Sequence, residues 1–368
     1  MVAVVSCNHF PDDERIYHKQ VKSLLNAGYE VLYFTRSDHA LDLSKHSLTH
    51  KNSSTNTSLS VFIERVIHSI KLSSEIQHIQ IHETDLLPLF KKIKHCSPSI
   101  CTIYDVHENM ESLYRTFSNR PKPVKEILIK VRNYNEKRYL KFVDQIILAN
   151  PPMKIEPYPT KSTTIIENFP KIENLNQSIS NKKGIENSII YHGHLAQERG
   201  IEDLVSAMKY VRESIPSASL SLVGTFRTED FECKTKNLIG KLRLESSITI
   251  LNQVPHSEIW PMIKEHKVGV VPFRRTPLTE ENTPTKLFEM MICGLEIVVS
   301  NLPPAQHFLS DSVHWCEPEN VQSISNSIID ACNMQGNSVN VKKNLELIQQ
   351  GYSWEHRQDD YLALFIDQ

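Results

Sequence analysis

The sequence predicts an α/β protein made of two doubly wound, Rossmann-like domains. Three observations carry that reading. Short apolar runs of strand length alternate with stretches of helical period, the pattern of parallel sheets covered by helices. The alternation starts twice, at residue 2 and again at residue 188, and a stretch rich in Asn, Ser, Lys and Gly at 171–187 separates the two starts and reads as a linker. A length of 368 residues also exceeds what one hydrophobic core usually organises. The expected domains are residues 1–169 and 170–353, with a cleft between facing strand ends.

Each element has a local reason. Residues 2–6 are an apolar strand, Asp12, Asp13 and Glu14 suit a helix start, Gly28 stops that helix, and residues 30–35 return as a strand. The intervening loop lacks G-x-G-x-x-G, which argues against a nicotinamide-linked oxidoreductase. Residues 37–60, rich in Ser, Thr, Asn and His, read as an exposed loop, and helical pattern resumes near Glu64. Strands are expected at 76–81 and 100–105 with a helix at 86–94 between them. Two His-Glu pairs, His82-Glu83 and His107-Glu108, then fall at the carboxyl edge of one sheet. Strands at 144–149 and 163–166, separated by the proline-bearing 151–159, close the first domain. The second domain opens with strand 188–192, a turn at Gly193, a helix from about Gly200 and strand 219–223. Its densest stretch is 268–301, read as strand 268–273, a polar loop, helix 284–293, a stop at Gly294 and strand 296–300.

Composition excludes several function classes. Forty per cent apolar and 23% charged residues are ordinary for a globular protein. Residues 1–169 carry 22 Lys/Arg against 18 Asp/Glu, and residues 170–368 carry 19 against 25, so the halves differ in sign. Nine of those cations and only two acids, Glu126 and Glu136, lie from Arg115 to Lys141. This basic helix, with Ile127, Leu128, Val131 and Tyr134 on one side, is either a solvated connector or a surface for anionic lipid headgroups. Nucleic acid is not expected, because neither zinc-finger spacing nor an aromatic RNA motif accompanies the charge. Seven cysteines without a C-x-x-C pair fit a reduced, cytoplasmic protein. No signal peptide and no apolar run of spanning length is apparent. Seventeen histidines include no H-E-x-x-H, so no metal site is expected.

In a strand-loop-helix unit such as 268–301, the ligand crevice lies beyond the strand's carboxyl end, where helix N–H groups can seat a phosphate. Glu281 in the loop and Glu289 in the helix flank that mouth, and helical side chains lean toward the N-terminus. They are either solvating glutamates or acceptors for sugar and ribose hydroxyls. Arg15, just inside the first helix, is either a surface residue pairing with neighbouring acids or a contact for an anion. Arg199 precedes a helix, where a cation is unfavourable unless an anion joins it.

The run Pro284-Thr285-Lys286-Leu287-Phe288-Glu289-Met290-Met291-Ile292-Cys293-Gly294 resembles the P-x-K-L-F-E-x-M-x-x-G of retaining, GT-B-fold, nucleotide-sugar glycosyltransferases of family 4, with Glu281 and Glu289 as their E-x7-E pair. Other segments agree in order. Pro11-Asp12-Asp13-Glu14-Arg15-Ile16 is similar to their P-x-D-x-R-I opening, Ile81-His82-Glu83-Thr84-Asp85-Leu86-Leu87-Pro88 to I-H-D-P-E-L-L-P, and Tyr104-Asp105-Val106-His107-Glu108 to Y-D-V-H-E, as in enzymes that build bacterial surface polysaccharide. Gly193-His194-Leu195-Ala196-Gln197-Glu198-Arg199-Gly200 resembles G-x-L-x-x-x-[KR]-G, and Tyr352-Ser353-Trp354-Glu355 the closing helix that packs back on the first domain, here 354–368.

The resemblance implies a hexosyltransferase moving a sugar from a nucleotide-diphosphate donor to a hydroxyl of a glycan or lipid-linked acceptor with retention. Donor residues would be Gly193, His194, Arg199, Glu281, Asn282, Thr283, Thr285, Lys286 and Glu289. Arg199, Glu281 and His107 would act in catalysis, and Arg15, His82, His107 and Glu108 would stand on the acceptor side. Residues 251–255 would receive the nucleobase. No metal or other cofactor is required if Arg199 and Lys286 neutralise the diphosphate. Where relatives carry a second base, this chain has His194, so neutralisation is weaker, pH-dependent, or shared with Lys286 or Arg15. The implied location is the cytoplasm or the inner face of its membrane. Rival readings are a GT-B epimerase or hydrolase acting without acceptor, and a catalytically silent subunit of a polysaccharide assembly complex.

Overall fold

The computed structural model describes residues 1–39, 43–44, 46–107, 109–151, 163–172, 185–335 and 338–366. Most of the expected linker, most of the proline-bearing 151–159 and Glu108 fall outside the described residues. The chain divides into two units, Met1–Asn168 with His356–Gln368, and Phe169–Glu355.

The first unit is a seven-stranded parallel sheet in the order β3-β2-β1-β4-β5-β6-β7. The strands are β1 Val2–Val5, β2 Val31–Arg36, β3 Leu48–Ser53, β4 His78–Ile81, β5 Cys101–Val106, β6 Gln145–Leu148 and β7 Thr163–Ile165. Central strands such as β1 and β4 are buried at every position because helices cover both faces. Helix α1 runs Glu14–Val21, wound in π form, and continues as Lys22–Asn26; the Asp13 carboxylate caps it by accepting from the Arg15 and Ile16 amides. On one face of the sheet lie α2 Leu59–Lys71 and α3 Leu87–Cys96, with α4 Met110–Phe117 and α5 Lys122–Leu140 packed beside them.

One expectation is corrected here. Residues 37–60 are not one exposed loop: they contain β3, and α2 starts five residues before Glu64. As an edge strand, Leu48-Thr49-His50-Lys51-Asn52-Ser53 pairs on one side only and buries mainly its two ends, so its polar composition masks a strand.

The second unit repeats the plan with six parallel strands ordered β10-β9-β8-β11-β12-β13. These are β8 Ser188–His192, β9 Ser219–Val223, β10 Ile248–Leu251, β11 Val268–Val271, β12 Glu296–Ser300 and β13 His314–Cys316. Helices α6 Ile201–Ser214, α7 Glu229–Lys241, α8 His256–Lys264, α9 Thr285–Ile292, α10 Pro303–Phe308, α11 Val321–Asn333 and α12 Val339–Gln350 surround it, and α13 Glu355–Leu362 belongs to the first unit from His356 onward. In both sheets the strand order reverses beside the first strand, between β1 and β4 and between β8 and β11. Ligands bind beyond the carboxyl ends of strands at such reversals.

Candidate functional site

At the β8/β11 reversal the chain assembles a cluster of cations against aromatic faces. Gly193, directly after β8, has φ +102°, a conformation that favours glycine, and a Cβ there would lie 2.6 Å from the Lys286 Nζ and displace that ammonium. Lys286, in the first turn of α9, donates to the Tyr191 hydroxyl at 3.0 Å and stands 4.3 Å from the centre of the Tyr191 ring. Tyr191 in turn donates to the His194 carbonyl. The Arg199 guanidinium lies 4.5 Å above the Phe273 ring, just beyond β11. Gly200, at φ +71°, lets the turn that carries Arg199 approach the chain at Pro272, where a Cβ would fall 1.8 Å from the Pro272 carbonyl oxygen.

Electrostatically this cluster is short of anions. Burial, with the charge of Arg199 adding to it, holds Lys286 well below the ordinary lysine range; Glu289 and Glu198 only partly oppose this. Among the described residues the buried Arg199 Nε has no hydrogen-bond partner, and the carboxylate of Glu198 stands 3.6 Å from it. Glu198 is shared with Arg227 at 3.1 Å. A diphosphate arriving here would restore the charge of Lys286 and fill the open position on Arg199. His194 is a poorer second cation than a lysine or arginine would be, because burial first, and then Arg227, Lys286 and Arg199, lower its pKa. Diphosphate binding is therefore expected to weaken as pH rises through the lowered Lys286 pKa, below the ordinary lysine range; calorimetric titration of a nucleoside diphosphate checks this, and Lys286→Met should abolish that limb.

The remaining expected donor residues lie on the same stretch. Glu289, on α9, stands 3.5 Å from His192 Nε2 of β8. Glu281, Asn282 and Thr283 follow a turn whose Thr279 hydroxyl donates to the Arg274 carbonyl at 2.5 Å, while Arg274 clamps Asp203 of α6. Thr285 opens α9. Sequence reasoning missed Arg227, Tyr191 and Phe273. Arg227 follows β9 and belongs to no local motif, and the two aromatic residues look like ordinary core until the cations above them are seen.

In the first unit the β1/β4 reversal gathers a second polar cluster. Glu83 Oε1 accepts from the Ser6 hydroxyl at 2.7 Å, the Cys7 and Asn8 amides at 3.0 Å each, and pairs with His9 Nδ1 at 2.8 Å. Burial alone would raise its pKa, but His9 and Ser6 outweigh that and hold it down to about 2. His82 and His107, after β4 and β5, meet with their Nδ1 and Nε2 atoms 3.1 Å apart, and both face Asp105 Oδ2 at 3.4 and 3.2 Å. Asp105 is fully buried; despite that burial, Arg15 and then His107 hold it well below the carboxylate range. Burial lowers His107 more than Asp105 raises it.

Arg15 is not the surface residue that one reading of its sequence context suggested. It is 3% exposed, and its Nε and Nη2 donate to Asp105 at 3.0 and 2.8 Å. Through Asp105 it is joined to His82 and His107. His82, Asp105 and His107 are the residues, among those described, whose ligand atoms lie close enough to share a metal ion. The carboxylate oxygen they face already accepts from Arg15 and from Gln20 at 2.6 Å, and a second cation beside that guanidinium would be repelled.

Residues 173–354 match the family model described as Glycosyl transferases group 1. A comparison with curated protein sequences finds no match. Solved structures similar over nearly the whole length include a sucrose-phosphate synthase from Thermosynechococcus elongatus (18% identity, 99% of this chain and 98% of that one, TM-score 0.74). They also include HepE from Anabaena in complex with UDP (14%, 99% and 99%, 0.75) and a UDP-forming trehalose-phosphate synthase from Burkholderia xenovorans in complex with glucose-6-phosphate (12%, 100% and 100%, 0.74). At these identities the structures speak for the fold. The chain is thus an enzyme of the glycosyltransferase class, with the two Rossmann-like units of the GT-B fold and a group 1 glycosyltransferase domain in the second of them.

Proposed function

We propose that this enzyme transfers a sugar, with retention of anomeric configuration, from a nucleotide-diphosphate sugar to a hydroxyl of a glycan or lipid-linked acceptor in bacterial surface-polysaccharide assembly. The observation that carries the donor half is the pairing of a burial-lowered Lys286 with an Arg199 whose Nε lacks a partner, both at the strand-order reversal of the second unit. The UDP bound to HepE and the glucose-6-phosphate bound to the trehalose-phosphate synthase support a nucleotide donor and a sugar-bearing acceptor.

In this reading Arg199, Lys286 and the amides of Thr283 and Thr285 stabilise the departing β-phosphate. Glu281 holds sugar hydroxyls and Glu289 the ribose. No metal ion or other cofactor is needed, because the cations are supplied by the protein. His107, set by Asp105 and His82, meets the acceptor. Retention places departure of the diphosphate and arrival of the hydroxyl on one face of the sugar, so orientation of the acceptor contributes as much as proton transfer.

The reading places the enzyme on the inner face of the cytoplasmic membrane. Support comes from α5, where Val124, Ile127, Val131 and Tyr134 form a stripe at helical spacing, Ile127 and Tyr134 being 62% and 68% exposed, among nine cations on the stretch from Arg115 to Lys141. No helix of the described residues is long and apolar enough to cross a membrane. Cosedimentation with anionic liposomes is expected to fall as salt screens the attraction, and to fall further in Ile127→Glu; binding indifferent to both would remove the membrane contact.

A thermal-shift screen of UDP-, GDP- and dTDP-sugars tests the donor, since a ligand raises stability by mass action. Nucleotide release that requires an acceptor separates the transferase from an epimerase or hydrolase. Absence of any donor response would favour a catalytically silent subunit.

A further inference from the structure

The first unit contains a cavity of about 540 Å³ that the reaction described so far leaves unused. Its walls include Leu87 and Pro88 of α3, Met110 of α4, and Leu128, Val131 and Tyr139 of α5. Pockets of this volume are typical for small-molecule ligands.

Two of its three carboxylates are engaged by neighbouring donors. Glu111 accepts from Arg115 at 2.9 Å and from Asn133 at 2.8 Å, and Glu136 accepts from the Tyr104 hydroxyl at 3.5 Å. The rest of the lining is mostly apolar, with Asn135, the exposed carboxylate of Asp85, and Arg132, the cation of the lining, which makes no ion pair among the described residues. Thr84 and Met110 also line it, two residues beyond His82 and three beyond His107. A three-residue segment spans at most roughly 10 Å, so the cavity lies beside the edge where those histidines stand. Val131 belongs both to its wall and to the exposed stripe of α5.

We infer that this cavity receives the hydrocarbon chain of an anionic, lipid-linked acceptor, with Arg132 pairing with the anion that joins chain to sugar. The inference rests on the transferase reading above and narrows its acceptor from glycan or lipid to a chain-bearing phosphate ester. The leucine, proline, methionine, isoleucine and valine of its walls offer a free glycan no hydrogen bond, whereas a hydrocarbon chain gains from each of them. A single alkyl or prenyl chain fills it, and the continuity through Val131 gives that chain a route from the surface stripe. The arrangement also sets the acceptor's direction: chain under α5, anion at Arg132, hydroxyl toward His107.

The experiment is calorimetric titration of the full-length protein with hexyl, octyl and decyl phosphate below their micellar concentrations, with inorganic phosphate as control. Each methylene buried should tighten binding about fourfold until the cavity is full. Leu128→Trp and, independently, Met110→Trp should fill the space and remove the dependence on chain length. Arg132→Met should retain that dependence while losing at least tenfold in affinity for each ester. Equal affinity for the three chains, or decyl phosphate bound as well by both tryptophan variants as by the wild type, would overturn the proposal. Binding of nucleotide sugar by the same proteins, read by thermal shift, separates the two levels. Retained donor binding without chain dependence removes the lipid cavity alone, whereas no donor binding in the wild type removes the transferase reading and this proposal with it.

Discussion

Replacing Arg199 with alanine is expected to lower kcat/KM for sugar transfer by about 10²- to 10³-fold, the loss typical of one preorganised donor to a developing oxyanion. The reason lies in the placement of this side chain. Its guanidinium rests on the Phe273 ring and its Nε has no hydrogen-bond partner among the described residues, so a donor is left for an incoming anion. Lys286 cannot compensate fully, because burial lowers its own pKa and the ammonium needs the incoming diphosphate to hold its charge. Initial rates at saturating acceptor over a range of donor concentrations test this. If the diphosphate departs against Arg199, kcat falls along with kcat/KM; a rise in KM at unchanged kcat would show that Arg199 only binds donor, and wild-type rates would remove the phosphate assignment altogether. Glu281→Ala and Glu289→Ala should each also cost about 10²-fold through lost orientation of the sugar and the ribose.

The second large effect is on stability. Arg15→Met should destabilise the protein by about 3–5 kcal/mol, the cost of leaving one member of a buried ion pair without the other. Asp105 has no solvent to turn to, and Gln20, His82 and His107 supply hydrogen bonds but not a permanent charge. Urea denaturation near neutral pH is the measurement. The pair Arg15→Met/Asp105→Leu should recover a large part of the loss, since removing both charges removes the desolvation penalty as well. The sign of the pH dependence follows from the lowered carboxyl pKa of Asp105. Its contribution is fully present above the ordinary carboxylate pKa and disappears as pH falls through the lower folded value. A single Arg15→Met variant as stable as the wild type would show that the histidine cluster compensates for the guanidinium.

Much of this protein could be read from its residues one segment at a time. The buried parallel strands announce themselves as apolar runs, and Gly28 and Gly294, with φ of +86° and +75°, stand after the helices they were expected to end. The cation cluster of the second unit was partly legible because Lys286 and Glu289 sit on one contiguous strand-loop-helix, where they and the strand's end keep a fixed spacing whatever surrounds them. What the chain alone determined is therefore local: which stretches are strands or helices, and which side chains a single turn holds together. The tertiary structure decided what depends on neighbours distant in sequence. It made residues 48–53 a strand, because β2 offers a free edge that no periodicity in a polar segment reveals. It set Arg227 on Glu198 and the Arg199 and Lys286 cations over Phe273 and Tyr191. And it drew Arg15 inward to Asp105, 90 residues away, because the sheet order lays β1 against β4 and β4 against β5, and a buried carboxylate must find its countercharge wherever the topology puts one.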